Sequence, residues 1–286
     1  MATSTTSANH GAAREKRLAA LSSVLAAVAL TTLKLVVGLM TGSLGILSEA
    51  AHSGLDLVAA LVTLFAVRIS DTPPDQRHRY GHGKVENLSA LIETLLLLLT
   101  CAWIIYEAIR RLFFEEVAVE ASIWAFVVMG VSVLVDFSRS RVLARTARKY
   151  NSQALEADAL HFSTDIWSAL VVILGLIGVR LSEASSRLAF LAKADAVAAL
   201  VVAMIVVYVS VQLGRRSVAA LLDSAPPGLA AKIERAVRAV PGVLDCHRVR
   251  VRTAGPQLFV DIHVVMDGAL SLEETHALSS QIEEII

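Results

Sequence analysis

Six apolar segments, each long enough to cross a lipid bilayer as a helix, constrain the fold of this chain more than any other feature. A hydrocarbon core about 30 Å thick takes roughly 20 residues of α-helix. The segments cover residues 18–40, 44–67, 88–109, 123–143, 155–179 and 192–213. The hydrophobic content of 55% is also well above that of a soluble domain. We therefore predict a membrane all-α six-helix bundle over residues 15–216.

Basic residues are distributed unevenly around the predicted spans, and this asymmetry predicts the orientation in the membrane. One set of connections and both termini of the bundle carry Arg14, Lys16, Arg17, Arg68, Arg77, Arg79, Lys84, Arg139, Arg141, Arg145, Arg148, Lys149, Arg215 and Arg216. The alternate connections carry only Arg110, Arg111, Arg180, Arg187 and Lys193. Both termini are therefore expected in the cytoplasm. The formal net charge of zero gives no indication of nucleic-acid binding.

The two ends of the chain differ in character from the bundle. Residues 1–14 are small and polar and lack the apolar core of a secretory signal, so we expect a disordered start. Residues 217–286 read as a small cytoplasmic α+β domain, with helices over 229–240 and 270–286 and alternating strands over 246–253 and 258–266. The sequence stops inside the last predicted helix, which indicates a truncated domain. The two cysteines, Cys101 and Cys246, fall in different regions and do not suggest a disulfide.

Two apolar spans carry ionisable residues at helical spacing. His52 and Asp56 lie four residues apart in the second span, and His161 and Asp165 repeat the pattern in the fifth. This spacing puts each pair on one helix face. Only eleven residues separate Asp56 from the next charged residue, Arg68, which is too few to cross a bilayer. The pairs must therefore lie well inside the membrane, on helices that run in opposite directions.

Ionisable groups at that depth need compensation, because each costs about 2.5–3.5 kcal/mol at the bilayer centre. Two imidazoles and two carboxylates form a four-coordinate set suited to Zn²⁺, and the two anions neutralise a dication. The alternative is a structural polar cluster. Because metal ligands must be deprotonated, metal and protons compete for such a site. Alternating access to it would make the protein a metal/proton antiporter.

Smaller groups of candidate ligands lie outside the spans. Asp75, His78 and His82 form a possible metal site in the connection after the second span, and the alternative is a solvated loop. The tail carries His247, His263 and His276, which are either metal ligands or surface histidines. We expect Lys34, in the first span, to extend to the membrane interface. The acidic residues in or near the spans, which the sequence does not rank, are Glu49, Glu86, Glu93, Asp136, Asp158 and Asp195.

Five stretches of the sequence resemble the cation diffusion facilitator family of divalent metal/proton antiporters, which includes zinc transporters. They are HSGLD, DQRHRYGHGKVE, ADALHFSTD, LLDSAPP and PGVLDCHRVRVRTAG. The resemblance implies six transmembrane helices, a metallochaperone-like (ferredoxin-like) cytoplasmic domain, and a homodimer in the lipid bilayer that exports metal in exchange for protons. We expect a multi-pass protein of the bacterial inner membrane. Family members usually continue with a further strand that carries additional tail ligands, and this chain lacks that strand.

The resemblance also implies roles for individual residues. It places the transport site on His52, Asp56, His161 and Asp165. It places a loop metal site on Asp75, His78 and His82, and tail ligands on His247, His263 and His276. It matches Lys84 and Asp223 to a charge interlock near the dimer interface. The expected ion is Zn²⁺, both transported and regulatory, with Cd²⁺, Co²⁺, Fe²⁺ and Mn²⁺ as further candidates.

Two other functions compete with transport. An intramembrane metalloenzyme would need a motif such as HExxH and an open metal position, and the sequence contains no HExxH. A membrane-anchored metal sensor would read cytoplasmic metal through its tail. The paired ligands deep in two spans favour a transporter over both.

Overall fold

Six long helices and a small α+β domain make up the described part of the chain. The structure, a computed structural model, describes residues 2–113, 123–184 and 194–286. The long helices are α1 (Ala2–Thr41), α2 (Leu44–Ser70), α3 (Lys84–Phe113), α4 (Ile123–Tyr150), α5 (Gln153–Ala184) and α6 (Ala194–Leu221). The domain after them contains α7 (Leu229–Arg238), β1 (Val243–Ala254), β2 (Gln257–Met266) and α8 (Leu272–Ile285). The predicted fold class is confirmed.

The helices extend beyond the predicted spans. Within the described residues, four helical stretches are long and apolar enough to cross a membrane, in α1, α2, α3 and α6. Helices α4 and α5 have 28 and 32 residues, or more than 40 Å at about 1.5 Å per residue. Helix α1 begins at Ala2, so the segment expected to be disordered continues the first helix; it is rich in alanine, the best helix former. Arg187 and Lys193 of the orientation argument lie outside the described residues.

The bundle packs through small side chains. Helix α1 packs mainly on α2, α3 on α6, and α4 on α5. The main core contains several alanines around the fully buried Phe162, including Ala20, Ala60 and Ala154. Small residues let helix backbones approach closely, as is common in membrane bundles. Helices α2 and α5, which carry the paired histidines and aspartates, are therefore held next to each other.

Buried charges join α1 to its neighbours. Lys16 is only 3% exposed, and its Nζ lies 2.5 Å from Asp71 and 3.0 Å from Glu86, which is fully buried. Glu86 also accepts hydrogen bonds from the hydroxyls of Ser70 and Ser152. All of its charge is thus compensated inside the protein.

The prediction that Lys34 extends to the membrane interface is wrong. Its side chain is buried, and its Nζ donates to Ser53 Oγ at 2.7 Å and lies 3.2 Å from a carboxylate oxygen of Glu49. Both partners belong to α2. The helix pairing places them within reach, so the ammonium group is neutralised where it stands and does not need to reach water.

The domain formed by residues 226–286 has a two-stranded antiparallel sheet covered by two helices. The apolar faces of β1 and β2 pack with Ile233 and Val237 of α7 and Ile282 of α8. Helix α8 begins with a capping box, in which Ser271 and Glu274 bond each other's backbone N–H groups. Cys246 is buried in this core and Cys101 in the bundle, and both are free thiols.

The connection between α2 and α3 is in backbone contact with the turn between β1 and β2. The N–H of Gly255 donates to Asn87 Oδ1 at 3.0 Å. A Cβ atom on Gly83 would lie 2.2 Å from the carbonyl oxygen of Ala254, so no side chain fits there. Beside this contact, the Arg252 guanidinium stacks on the ring of Tyr80 at 3.9 Å. The tail domain is therefore fixed to the start of α3.

Replacing Gly83 by alanine is expected to push the β1–β2 turn away from α3 and to destabilise the protein by roughly 1–3 kcal/mol, the usual effect of overpacking. Faster proteolytic release of the tail domain in detergent would report the separation. Gly130→Ala is the matched control, because a Cβ there has no neighbour within 4 Å. Equal cleavage rates for the two variants would contradict this prediction.

Candidate functional site

The paired residues of α2 and α5 converge on one point inside the bundle. His161 Nε2 lies 3.1 Å from Asp56 Oδ1 and 3.7 Å from Asp165 Oδ2. His52 Nε2 lies 3.8 Å from Asp165 Oδ1 and 3.9 Å from Asp56 Oδ1. Each histidine thus faces the aspartate of the other helix as well as that of its own. We call these four residues the central site.

The spacing within the central site suits a small tetrahedral cation. Metal–ligand bonds of about 2.0–2.1 Å place tetrahedral ligands about 3.3 Å apart. The four measured separations, from 3.1 to 3.9 Å, lie close to that value. Candidate ligand atoms of His52, Asp56 and Asp165 all lie within 4.8 Å of one another. His161 is not part of that group of three and contacts the other oxygen of Asp165, so the two histidines must move closer together to bind one ion.

The central site is buried on one side and open on the other. Asp56 and His161 are 8% and 5% exposed, whereas the side chain of His52 is 37% exposed. The buried Asp165 Oδ2 and His161 Nδ1 have no hydrogen-bond partner. A buried acceptor without a partner is costly, so the arrangement leaves ligand capacity unused. The residues of the site therefore have free capacity to bind a cation.

Asp75, His78 and His82 also come together, in the connection before α3. His78 Nδ1 lies 3.3 Å and His82 Nε2 3.5 Å from the Asp75 carboxylate, and the two imidazole rings are 4.5 Å apart. Their ligand atoms lie within 4.8 Å of one another. The Asp75 carboxylate accepts the backbone N–H groups of Arg77 and His78, which orient it. We call this group the loop cluster.

The loop cluster keeps its negative charge over a wide pH range. Hydrogen bonds from the backbone and side chain of His78 lower the pKa of Asp75 to about 2. The carboxylate therefore stays ionised at any pH above that value.

The predicted tail ligands are only partly brought together. His247 and His263 are direct cross-strand partners, with ring centroids 5.7 Å apart. His247 also bonds Asp245 at 3.1 Å, and this bond lowers the pKa of the Asp245 carboxyl. His276 is exposed on α8, and no group of three candidate ligands in the described part of the chain includes it. The reason is helical geometry: Leu278 faces the core, and a residue two positions earlier points roughly the opposite way.

Lys84 and Asp223 form an ion pair, with Lys84 Nζ 3.0 Å from Asp223 Oδ1. The same ammonium donates to the carbonyl oxygen of Leu221 at 3.2 Å. The pair joins the first residue of α3 to the segment just after α6. It fixes the membrane end of the tail domain next to the contact made by Gly83.

Arg139 is a residue near the central site that the sequence identified only as a basic flanking residue. It is buried, pairs with Asp136 at 3.1 Å and donates to Ser23 at 3.1 Å. Its guanidinium lies 3.5 Å from the ring centroid of Phe162, which follows His161. The three-residue spacing of Asp136 and Arg139 is a sequence signal that could have predicted a buried pair.

Comparison with known proteins agrees with this architecture. Residues 20–222 match the family model of the cation efflux transmembrane domain, and residues 225–286 match that of the cation efflux protein cytoplasmic domain. The cation-efflux pump FieF of Yersinia enterocolitica serotype O:8 / biotype 1B is 33% identical over 279 residues, which covers 96% of this chain and 89% of that protein. FieF of Serratia proteamaculans is 31% identical over 280 residues, with the same coverage. The chain belongs to the cation efflux family, the cation diffusion facilitators.

Proposed function

We propose that the protein exports a divalent metal cation, Zn²⁺ in the first place, in exchange for protons through the central site. The observation that carries this proposal is the convergence of two imidazoles and two carboxylates from α2 and α5, at separations of 3.1–3.9 Å inside the bundle. Members of the family are transporters and not enzymes, which removes the intramembrane metalloenzyme.

The donor set supports zinc as the substrate. Zn²⁺ prefers four ligands, accepts both histidine nitrogen and carboxylate oxygen, and has no geometric demand from its d-electrons. Two aspartates bring the charge of the loaded site to zero, which lowers the cost of holding the ion within the membrane. Affinity alone does not separate Zn²⁺ from Co²⁺, Cd²⁺, Fe²⁺ or Mn²⁺, so geometry must contribute to the choice.

Proton exchange follows from the same ligands. Histidine and aspartate bind metal only when they are deprotonated, so an arriving cation displaces protons and protons displace the cation. A site that opens alternately to the two sides of the membrane would then couple the two fluxes. His52, whose side chain is 37% exposed, is the most accessible of the four ligands.

The bacterial relatives also suggest where and in what assembly the protein acts, namely in a bacterial inner membrane. We propose a homodimer with both termini in the cytoplasm, in which the Lys84–Asp223 pair and the tail domain stabilise the contact between copies. The loop cluster, and tail ligands His247, His263 and His276, would bind regulatory metal. A metal bound by His276 would need further ligands, because His276 belongs to no group of three candidate ligands in the described part of this chain.

Flux measurements with purified protein in liposomes test the proposal. With an acidic lumen and a panel of divalent ions outside, we expect zinc uptake accompanied by alkalinisation of the lumen. Zinc uptake without any luminal pH change would contradict proton exchange. Zinc binding without uptake would contradict transport and leave the membrane-anchored sensor in its place.

Replacing His52 by aspartate is expected to broaden the metal range without abolishing transport. The substitution exchanges a nitrogen ligand for a carboxylate, which suits harder cations such as Mn²⁺ and, because it binds through one or two oxygens, also accommodates larger cations such as Cd²⁺. We expect the ratio of zinc to cadmium and manganese flux to fall by on the order of tenfold, which corresponds to about 1.4 kcal/mol. His10→Asp, the same change outside the predicted spans and outside the three groups of candidate ligands, is the control. Equal flux ratios in wild type and His52→Asp would refute the prediction.

A further inference from the structure

A second level of buried carboxylates lies one to two helical turns from the central site, toward the end of the bundle that faces the tail domain, with Asp158 three residues before His161. Asp158 precedes Asp165 by seven residues on α5, and Thr63 follows Asp56 by seven residues on α2. Seven residues of helix correspond to about 10 Å. Glu93 of α3 joins this level through a short hydrogen bond with the Thr63 hydroxyl. Glu93 and Asp158 are both fully buried.

Each of these two carboxyl groups is only half satisfied. Glu93 Oε1 accepts from Thr63, and Asp158 Oδ2 accepts from Ser23 at 3.1 Å. Glu93 Oε2 and Asp158 Oδ1 are buried without a hydrogen-bond partner. The hydroxyl of Ser89 lies beside Glu93 but makes no hydrogen bond of normal geometry. A protonated carboxyl accepts fewer hydrogen bonds than a carboxylate, so half-satisfied groups of this kind suit the neutral form.

The surrounding cations act on the pair without direct contact: Arg139 donates to the Ser23 hydroxyl, which in turn donates to Asp158. Within the described ranges, no lysine, arginine or histidine lies within 4 Å of either carboxyl. The two buried cations nearby form ion pairs with other carboxylates: Arg139 with Asp136, and Lys16 with Glu86. Glu86 shows the contrast, because it lies seven residues before Glu93 on the same helix and has three partners. Burying an ionised carboxylate without such partners costs several kcal/mol.

The pair also interacts electrostatically with the central site. Asp158 acts on Glu93, and Asp56 and His161 act on Asp158. The other charged group that faces the pair is Arg139 of α4, whereas α1 contributes the hydroxyl of Ser23. Arg139 repels a dication at this level about twice as strongly as a proton, whereas burial favours the neutral, protonated form of both carboxyls. A dication at the central site would repel protons from the pair across low-dielectric protein.

We propose that Glu93 and Asp158 form a proton-binding pair that holds protons while the central site is empty and releases one when the metal arrives. The carboxylic O–H bond breaks, water on the tail-domain side accepts the proton, and the carboxylate charge that remains balances part of the dication. This inference deepens the proposed function and rests on its proton exchange. The Glu93–Asp158 pair would carry a proton without binding the metal, in contrast to the four ligands of the central site.

Counting the protons released on zinc binding tests the inference in the full-length protein in detergent. Weakly buffered protein is titrated with Zn²⁺ while a pH dye reports the protons, and zinc affinity is measured at several pH values. For Glu93→Gln, which keeps the size and the Thr63 contact, we expect about one proton fewer per zinc than in wild type, and a slope of log affinity against pH lower by about one. Asp158→Asn is expected to give the same decrease. Glu156→Gln, a half-exposed residue on α5 that pairs with Arg216, is the control and should match wild type.

The outcomes separate this inference from the proposed function. If wild type releases protons and both Glu93→Gln and Asp158→Asn release as many, the proton-binding pair is refuted and proton exchange stands. If wild type releases no protons, both proposals fail. If Glu93→Gln does not fold, as judged by circular dichroism and gel filtration, Asp158→Asn decides the question.

Discussion

Replacing Asp56 by asparagine is expected to reduce zinc flux to the level of protein-free liposomes. Asparagine keeps the shape of the side chain but removes the negative charge. The oxygen involved lies 3.1 Å from His161 and 3.9 Å from His52, at the centre of the ligand set. Loss of a residue that only hydrogen-bonds to a metal ligand typically lowers metal affinity or activity by 10–100-fold. Loss of a ligand itself should lower it further. We therefore expect a decrease in flux of about 100-fold or more.

Asp261→Asn provides the control for this experiment. Asp261 is an exposed residue of β2, so the same change in charge occurs far from the central site. Its flux should equal that of wild type. Zinc flux in Asp56→Asn within a few-fold of the control would show that metal does not pass between α2 and α5, and the proposed transport site would have to be abandoned.

Replacing Lys16 by methionine is expected to destabilise the bundle by about 3–5 kcal/mol, because it leaves buried carboxylates without their cation. Glu86 is fully buried, and Asp71 is only 13% exposed. SDS-titrated unfolding in mixed micelles, followed by circular dichroism, would measure the loss. Combining Lys16→Met with Glu86→Gln should recover much of it, because the second change removes the uncompensated charge of Glu86, while Asp71 keeps Arg17 at 3.8 Å.

Lys149→Met is the matched control, because Lys149 also forms an ion pair with α1. Its partner is Glu15, the neighbour of Lys16, but both side chains are more than half exposed. Water solvates the charge that is left over, so the unfolding transition should hardly move. Equal destabilisation by the two substitutions would mean that the burial of Lys16 does not determine its contribution.

Helical spacing and length were enough to predict that the four residues of the central site lie together. His52 and Asp56 on one span, and His161 and Asp165 on another, lie four residues apart and well inside their spans. Antiparallel neighbouring helices then bring each histidine to the other aspartate. The grouping was predictable because buried charge has few alternatives in hydrocarbon. The role of these residues as a metal transport site stays a prediction.

Contacts between segments that are distant in sequence were beyond prediction. The partners of Lys34 belong to α2, and a single span gives no information on which neighbour it meets. The hydrogen bond from Gly255 to Asn87 joins residues 168 positions apart. His276 differs, because the spacing of Leu278 and Ile282 in the last helix already predicts which face packs on the sheet, and His276 is not on that face.

The contact of Gly83 with Ala254 has a mechanical consequence. Two backbones touch there with no flexible side chain between them to absorb a displacement. We therefore expect a tilt of α3 to move the β1–β2 hairpin with it, and a displacement of the hairpin to tilt α3. Because of this contact, the position of the tail domain should follow the tilt angle of α3 in the membrane.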